Sequence, residues 1–181
     1  MRIRHLLVGA LISSVGVAPV AAEPDRPGPV VVGGGVSYAV LDPGGAAYLP
    51  STLAGVMPAA YVGWRPRPDL EASADAWLSY GTDDDYRARA WGAAAGVGYA
   101  SPWSAVVTLR LGYGHVEWGD SDGGYLDRDD VVLGVGARVE LYRDRLGALV
   151  ALGAISRTTA WLSDDGQPAQ TLYAVGLGFE R

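Results

Sequence analysis

The feature that most constrains this chain is an alternation with a period of two, repeated eight times between residues 30 and 179. Its clearest stretch is 103–113, where Trp103, Ala105, Val107, Leu109, Leu111 and Tyr113 share one parity and Ser104, Val106, Thr108, Arg110 and Gly112 the other. Residues 131–141 divide likewise, with Val131, Leu133, Val135, Ala137, Val139 and Leu141 opposite Val132, Gly134, Gly136, Arg138 and Glu140. From 70 to 80, Leu70, Ala72, Ala74, Ala76, Leu78 and Tyr80 stand opposite Glu71, Ser73, Asp75, Trp77 and Ser79. Near the C-terminus, Tyr173, Val175, Leu177 and Phe179 stand opposite Leu172, Ala174, Gly176 and Gly178. A helix would spread each set over all its faces, whereas a strand separates them onto two. Stretches 30–41, 58–64, 86–100 and 146–162 complete the eight predicted strands. Arg87 and Arg89 share the parity of Trp91 and Val97, which predicts a bulge near the start of the fourth.

The predicted connections are 42–57, 65–68, 82–85, 101–102, 119–128, 143–145 and 163–168. The second, fourth and sixth are tight, while the first, fifth and seventh are longer and rich in Asp and Gly. An even number of strands with such connections predicts an all-β, eight-stranded antiparallel up-and-down barrel. Glycine, 26 of 181 residues, has no three-residue period and forms no G-x-G-x-x-G fingerprint, so its use is close strand packing. The chain has no cysteine, which excludes disulfide scaffolds and cysteine zinc sites. All 14 basic residues are Arg, which excludes chemistry that needs a lysine.

Residues 1–22 read as a cleaved secretory leader: a basic start through His5, the apolar run Leu6 to Val17, and small residues through Ala22. A short segment, 23–28, then precedes a single barrel domain over 29–181. Losing Arg2 and Arg4 with the leader leaves 12 basic against 20 acidic residues, a charge of −8. Nucleic acid, which needs clustered positive charge, is therefore not an expected partner.

Such a barrel can be soluble, with its apolar face inward around a ligand as in lipocalins, or membrane-spanning, with that face turned to lipid. An inward aliphatic set would leave glycine and alanine as most of the solubilising surface. An outward set fills the lumen with small residues and a charge cluster: Glu71, Asp75, Arg110, Arg138, Glu140 and Arg157. Those three acids and three bases balance, as burial of charge requires. Trp103 and Tyr113 lie ten residues apart on one face, roughly 25 Å along the axis of a tilted strand, the height of a barrel's apolar band. Trp64, Tyr99, Trp103, Tyr142 and Phe179 fall near the short-turn ends; Tyr38, Tyr80, Trp91, Tyr113, Trp118 and Trp161 fall near the long-loop ends. Two interfacial aromatic belts, and a transmembrane barrel, are expected.

On this pattern the chain resembles the small bacterial outer-membrane barrels of the OmpA/OmpX type, over residues 29–181. The last strand, Leu172-Tyr-Ala-Val-Gly-Leu-Gly-Phe179, is similar to the C-terminal signal read by the barrel-insertion machinery, although Glu180 and Arg181 follow the aromatic here. The resemblance implies outer-membrane lipid and lipopolysaccharide as surroundings, the insertion machinery as a partner through Tyr173–Phe179, periplasmic termini and outward-facing longer loops.

Two groups could carry chemistry. His115 is the single histidine after the leader and lies near Glu117, Asp120 and Ser121. Some outer-membrane barrels modify lipid A with a histidine and a serine, and a general base must reach its hydroxyl. The deacylases place that serine two residues after the histidine, where this chain has Glu117. Asp42, Asp83, Asp84, Asp85, Asp120, Asp122, Asp127, Asp129, Asp130, Asp164 and Asp165 are expected in or beside the outer loops. Asp120-Ser-Asp-Gly-Gly opens like a calcium loop but has Gly124 and Val131 at the fifth and twelfth positions, so no metal site is assigned. The expected function is therefore non-enzymatic: a monomeric, plugged outer-membrane barrel with no cofactor, acting structurally or through its acidic outer loops. A His115-dependent lipid A-modifying enzyme and a secreted soluble ligand-binding barrel are the alternatives.

Overall fold

A computed structural model describes residues 30–44, 52–83, 85–120, 125–159 and 169–181; the leader, residues 23–28 and Trp161 lie outside the described residues. The eight strands are β1 (Val30–Asp42), β2 (Leu53–Arg67), β3 (Leu70–Thr82), β4 (Tyr86–Ala100), β5 (Ala105–Asp120), β6 (Tyr125–Arg143), β7 (Ala148–Thr158) and β8 (Thr171–Glu180). Each pairs antiparallel with its neighbours in chain order, and β1 pairs with β8 to close the barrel. Past the last strand residue, Val32 and Arg181 exchange both backbone hydrogen bonds at 2.8 Å, which secures the seam.

The alternation sorts side chains as a pleated wall must. Leu109, Leu111, Val135, Ile155, Val175 and Leu177 are exposed on the outside. The other parity points inward, where a narrow eight-stranded lumen admits small residues and a few large ones. At the long-loop end the interior is an apolar cluster that includes Leu41, Leu53, Trp77, Val116, Trp118 and Leu172. A Cβ on Gly92 would stand 2.5 Å from Cζ2 of Trp77, so this glycine makes room for the indole. The aliphatic set that would line the ligand of a soluble binding barrel faces away from the lumen.

Four expectations about the strands need correction. β2 begins at Leu53, so its tip takes in residues assigned to the first connection. β5 and β6 extend to Asp120 and from Tyr125, so Asp127 belongs to strand instead of the connection, with Asp129 and Asp130 following it in the same strand. Polar residues on both parities hide the alternation there, yet backbone pairing continues through His115↔Asp129 and Glu117↔Asp127. β7 ends at Thr158. The fourth correction is β4, whose pairing with β3 and β5 runs unbroken past Arg87 and Arg89. Both arginines face outward because the strand continues beyond the apolar band. The register shifts fall instead at Trp64/Arg67 and Glu140/Tyr142. The second reverses parity, turning Tyr142 outward and Arg143 inward.

Candidate functional site

The lumen near the short turns is occupied by an ionic network. Glu71, with no exposed surface, accepts from Arg138 Nη1 at 2.8 Å, from Arg138 Nη2, and from Arg65 Nε at 3.0 Å. Arg138 Nε also lies 3.0 Å from Glu180 Oε2, which accepts from the Tyr61 hydroxyl at 3.0 Å. The Arg138 guanidinium carbon lies 5.0 Å from the centre of the Tyr61 ring. Arg143 Nη2 donates to Glu140 at 2.7 Å and to Glu180 at 3.4 Å. Three carboxylates thus meet three guanidiniums. Space for Glu71 comes from Gly63, where a Cβ would lie 2.8 Å from the carboxyl carbon.

Of the six residues assigned to a lumen cluster, Glu71, Arg138 and Glu140 meet in this network. Asp75 and Arg110 form a separate pair nearer mid-barrel, through Nε to Oδ1 at 3.0 Å and Nη2 to Oδ2. Arg157 is not in the lumen: it is exposed on the outward parity of Ile155. Sequence reasoning placed Arg65 and Arg143 in turns and had Glu180 only as a residue following the last aromatic. Parity with Gly63 would have found Arg65, and parity with Gly176 and Gly178 would have found Glu180. Arg143 had no such signal, since the register shift reverses its side.

A cavity of about 100 Å³ adjoins the Asp75–Arg110 pair, with Tyr61, Ser73, Thr108 and Arg138 in its polar lining. That is space for several waters. Trp77 borders it and also borders a second cavity of about 20 Å³ toward the long loops. Beyond lies Trp118, whose Nε1 donates to Gln170 at 3.4 Å, and a buried Arg128–Asp130 pair at 2.7 Å. Trp118 was expected at the interface, but it is 1% exposed and points inward. Trp64, Tyr80, Trp91, Tyr99, Trp103, Tyr113, Tyr142 and Phe179 are all exposed on the outside.

Outside the wall, beyond Tyr113, the surface turns polar. His115 stacks on Trp91 with centroids 5.2 Å apart. Its Nδ1 lies 2.8 Å from Asp129, and its Nε2 lies 3.3 Å from both Glu117 and Asp127. Partial burial opposes the charged imidazole, but hydrogen bonds to Asp129 and Glu117 and the nearby Asp127 outweigh it and raise its pKa above the ordinary value. Tyr113 and His115 in turn lower the pKa of Asp129 by hydrogen bonding. Glu117 stands where a serine nucleophile would be needed. Among the described residues, no group of three His, Cys, Asp or Glu is arranged to hold a metal ion.

No protein-family model matches the sequence, and no curated protein sequence matches it. Solved structures do match the fold. Ail, the attachment invasion locus protein of Yersinia pestis, superposes with a TM-score of 0.61 at 10% identity, covering 84% of this chain and 97% of Ail. Neisserial surface protein A gives 0.58 at 14% identity, covering 83% and 95%. The N-terminal β-barrel domain of Pseudomonas aeruginosa OprF gives 0.52 at 11% identity, covering 84% and 98%. In fold, this chain is an eight-stranded up-and-down barrel similar to those of small outer-membrane proteins.

Proposed function

We propose that the protein is a non-enzymatic outer-membrane barrel with a closed interior, acting as a structural or surface-interaction element. The observation that carries this reading is the inverted polarity of the wall: aliphatic side chains outside and charge-paired side chains within. A surface of Leu109, Leu111, Val135 and Leu177 is suited to hydrocarbon and unsuited to water. The lumen is stoppered by the Glu71–Arg138–Glu180 network, the Asp75–Arg110 pair and the Trp118 layer. Its surroundings are outer-membrane lipid and lipopolysaccharide. Tyr173–Phe179 serves the insertion machinery, the barrel is monomeric, the termini are periplasmic, and the long-loop end with its aspartates faces outward. Ail is named as an attachment invasion locus protein, which fits a surface-interaction role of this kind.

Cells producing the full chain test the reading by fractionation and lipid A mass spectrometry. The protein is expected in the outer-membrane fraction, with lipid A masses unchanged. A mass shift that His115→Ala abolishes would make it a lipid A-modifying enzyme instead.

A further inference from the structure

Along the outer face of β4 the order is Tyr99, Val97, Ala95, Ala93, Trp91, Arg89, Arg87. The aromatics bracket the apolar residues, and the next two outward positions are cations. Outward positions on a strand tilted by ~40° rise about 5 Å each along the barrel axis, which sets Arg89 and Arg87 roughly 5 and 10 Å beyond Trp91. That is the depth of lipid headgroups, provided the wall spans a membrane.

Both side chains are exposed. Arg89 pairs with Glu117 at 3.9 Å, yet its side chain stays 58% exposed. Arg87 is paired in register with Thr82 and Gly119, and a Cβ on Gly119 would lie 3.0 Å from its Nε. No ion pair engages it among the described residues. Tyr80, the register partner of Arg89, is exposed beside it. The carboxylates Glu117, Asp127 and Asp129 gather around His115 on β5 and β6, and Glu117 also lies 3.9 Å from Arg89. Asp83 and Asp85 belong to the turn beyond Arg87.

The geometry points to a site on the outer wall of β3–β4 that binds the phosphate of an outer-leaflet lipid headgroup, with Arg87 and Arg89 as its cations and Tyr80 and Trp91 against the lipid beneath. The inference rests on the membrane reading above. Charge complementarity selects the occupant: planar guanidiniums suit phosphate oxygens, and at this depth the anion at hand is the headgroup.

The test uses the full chain folded in detergent, titrated with diphosphoryl lipid A or the same lipid after phosphatase treatment, and read by native mass spectrometry. The phosphorylated form is expected to be retained about tenfold better. Arg87→Gln/Arg89→Gln is expected to abolish that preference, and Arg145→Gln at the opposite end to keep it. Preference surviving in the double variant, absent from the parent protein, or erased by equimolar inorganic phosphate would overturn the site while leaving the barrel intact. A parent protein that stays soluble without detergent overturns the membrane reading, and this site with it.

Discussion

Glu71 has no exposed surface and takes hydrogen bonds from two guanidiniums, so its charge is held in place by Arg65 and Arg138 together. Breaking a buried pair by removing one partner strands the other charge, at about 3–5 kcal/mol. Glu71→Gln is expected to cost that much in urea unfolding of the folded barrel. Glu140→Gln, whose partner Arg143 keeps Glu180, is expected to cost less than about 1 kcal/mol, and equal losses would contradict the network described. Outside the wall, His115 makes stability depend on pH. It faces Tyr113 and Glu117 on its own strand, Asp127 and Asp129 on β6, and Trp91 and Arg89 on β4. Because its folded pKa is raised, its contribution is complete below the ordinary value of 6.5 and lost as pH rises through the raised one. The difference in unfolding midpoint between the parent and His115→Asn should therefore shrink with rising pH above that value; a difference that widened would show the sign to be wrong.

At the scale of one strand, β5 carries two environments on one face. Leu109 is in the apolar band and Glu117 is beyond it. Leu109→Arg is expected to destabilise the barrel in lipid vesicles by about 2–4 kcal/mol, and Glu117→Arg by about 1 kcal/mol or less. Similar costs at both positions would mean that the band has been misplaced. The same contrast explains what could be read from sequence. Where a strand crosses the band, solvent differs on its two faces and parity alone assigns each side chain, as for Glu71, Asp75, Arg110 and Arg138. Where strands run past the band, both faces accept polar residues and the alternation disappears. The ends of β5 and β6 were therefore read as loop, and Arg87 and Arg89 as a sign of a bulge. Parity also fails across a register shift, so it carries no signal for Arg143, which was assigned to a turn. Glu180 was legible in principle by its parity with Gly176 and Gly178, although it follows the terminal aromatic.

For the whole molecule, closure is the property from which the others follow. A cylinder with every strand paired has no edge to offer, so backbone groups are satisfied without water and the wall can stand in hydrocarbon. Two cavities, of about 100 and 20 Å³, each border Trp77 inside the barrel. Vesicles carrying the folded protein are accordingly expected to exclude small sugars in a swelling assay. Glu71→Ala/Arg138→Ala opens the short-turn end, and swelling by the parent equal to that of this variant would show that the lumen is not stoppered. The most direct test of the central claim, a closed barrel with its apolar face turned to the membrane, is a detergent gel of the outer-membrane fraction run with and without boiling. The account predicts one band that shifts in mobility on boiling, because a closed barrel stays folded in mild detergent. A protein recovered in the soluble fraction, with the same mobility boiled or unboiled, would contradict it.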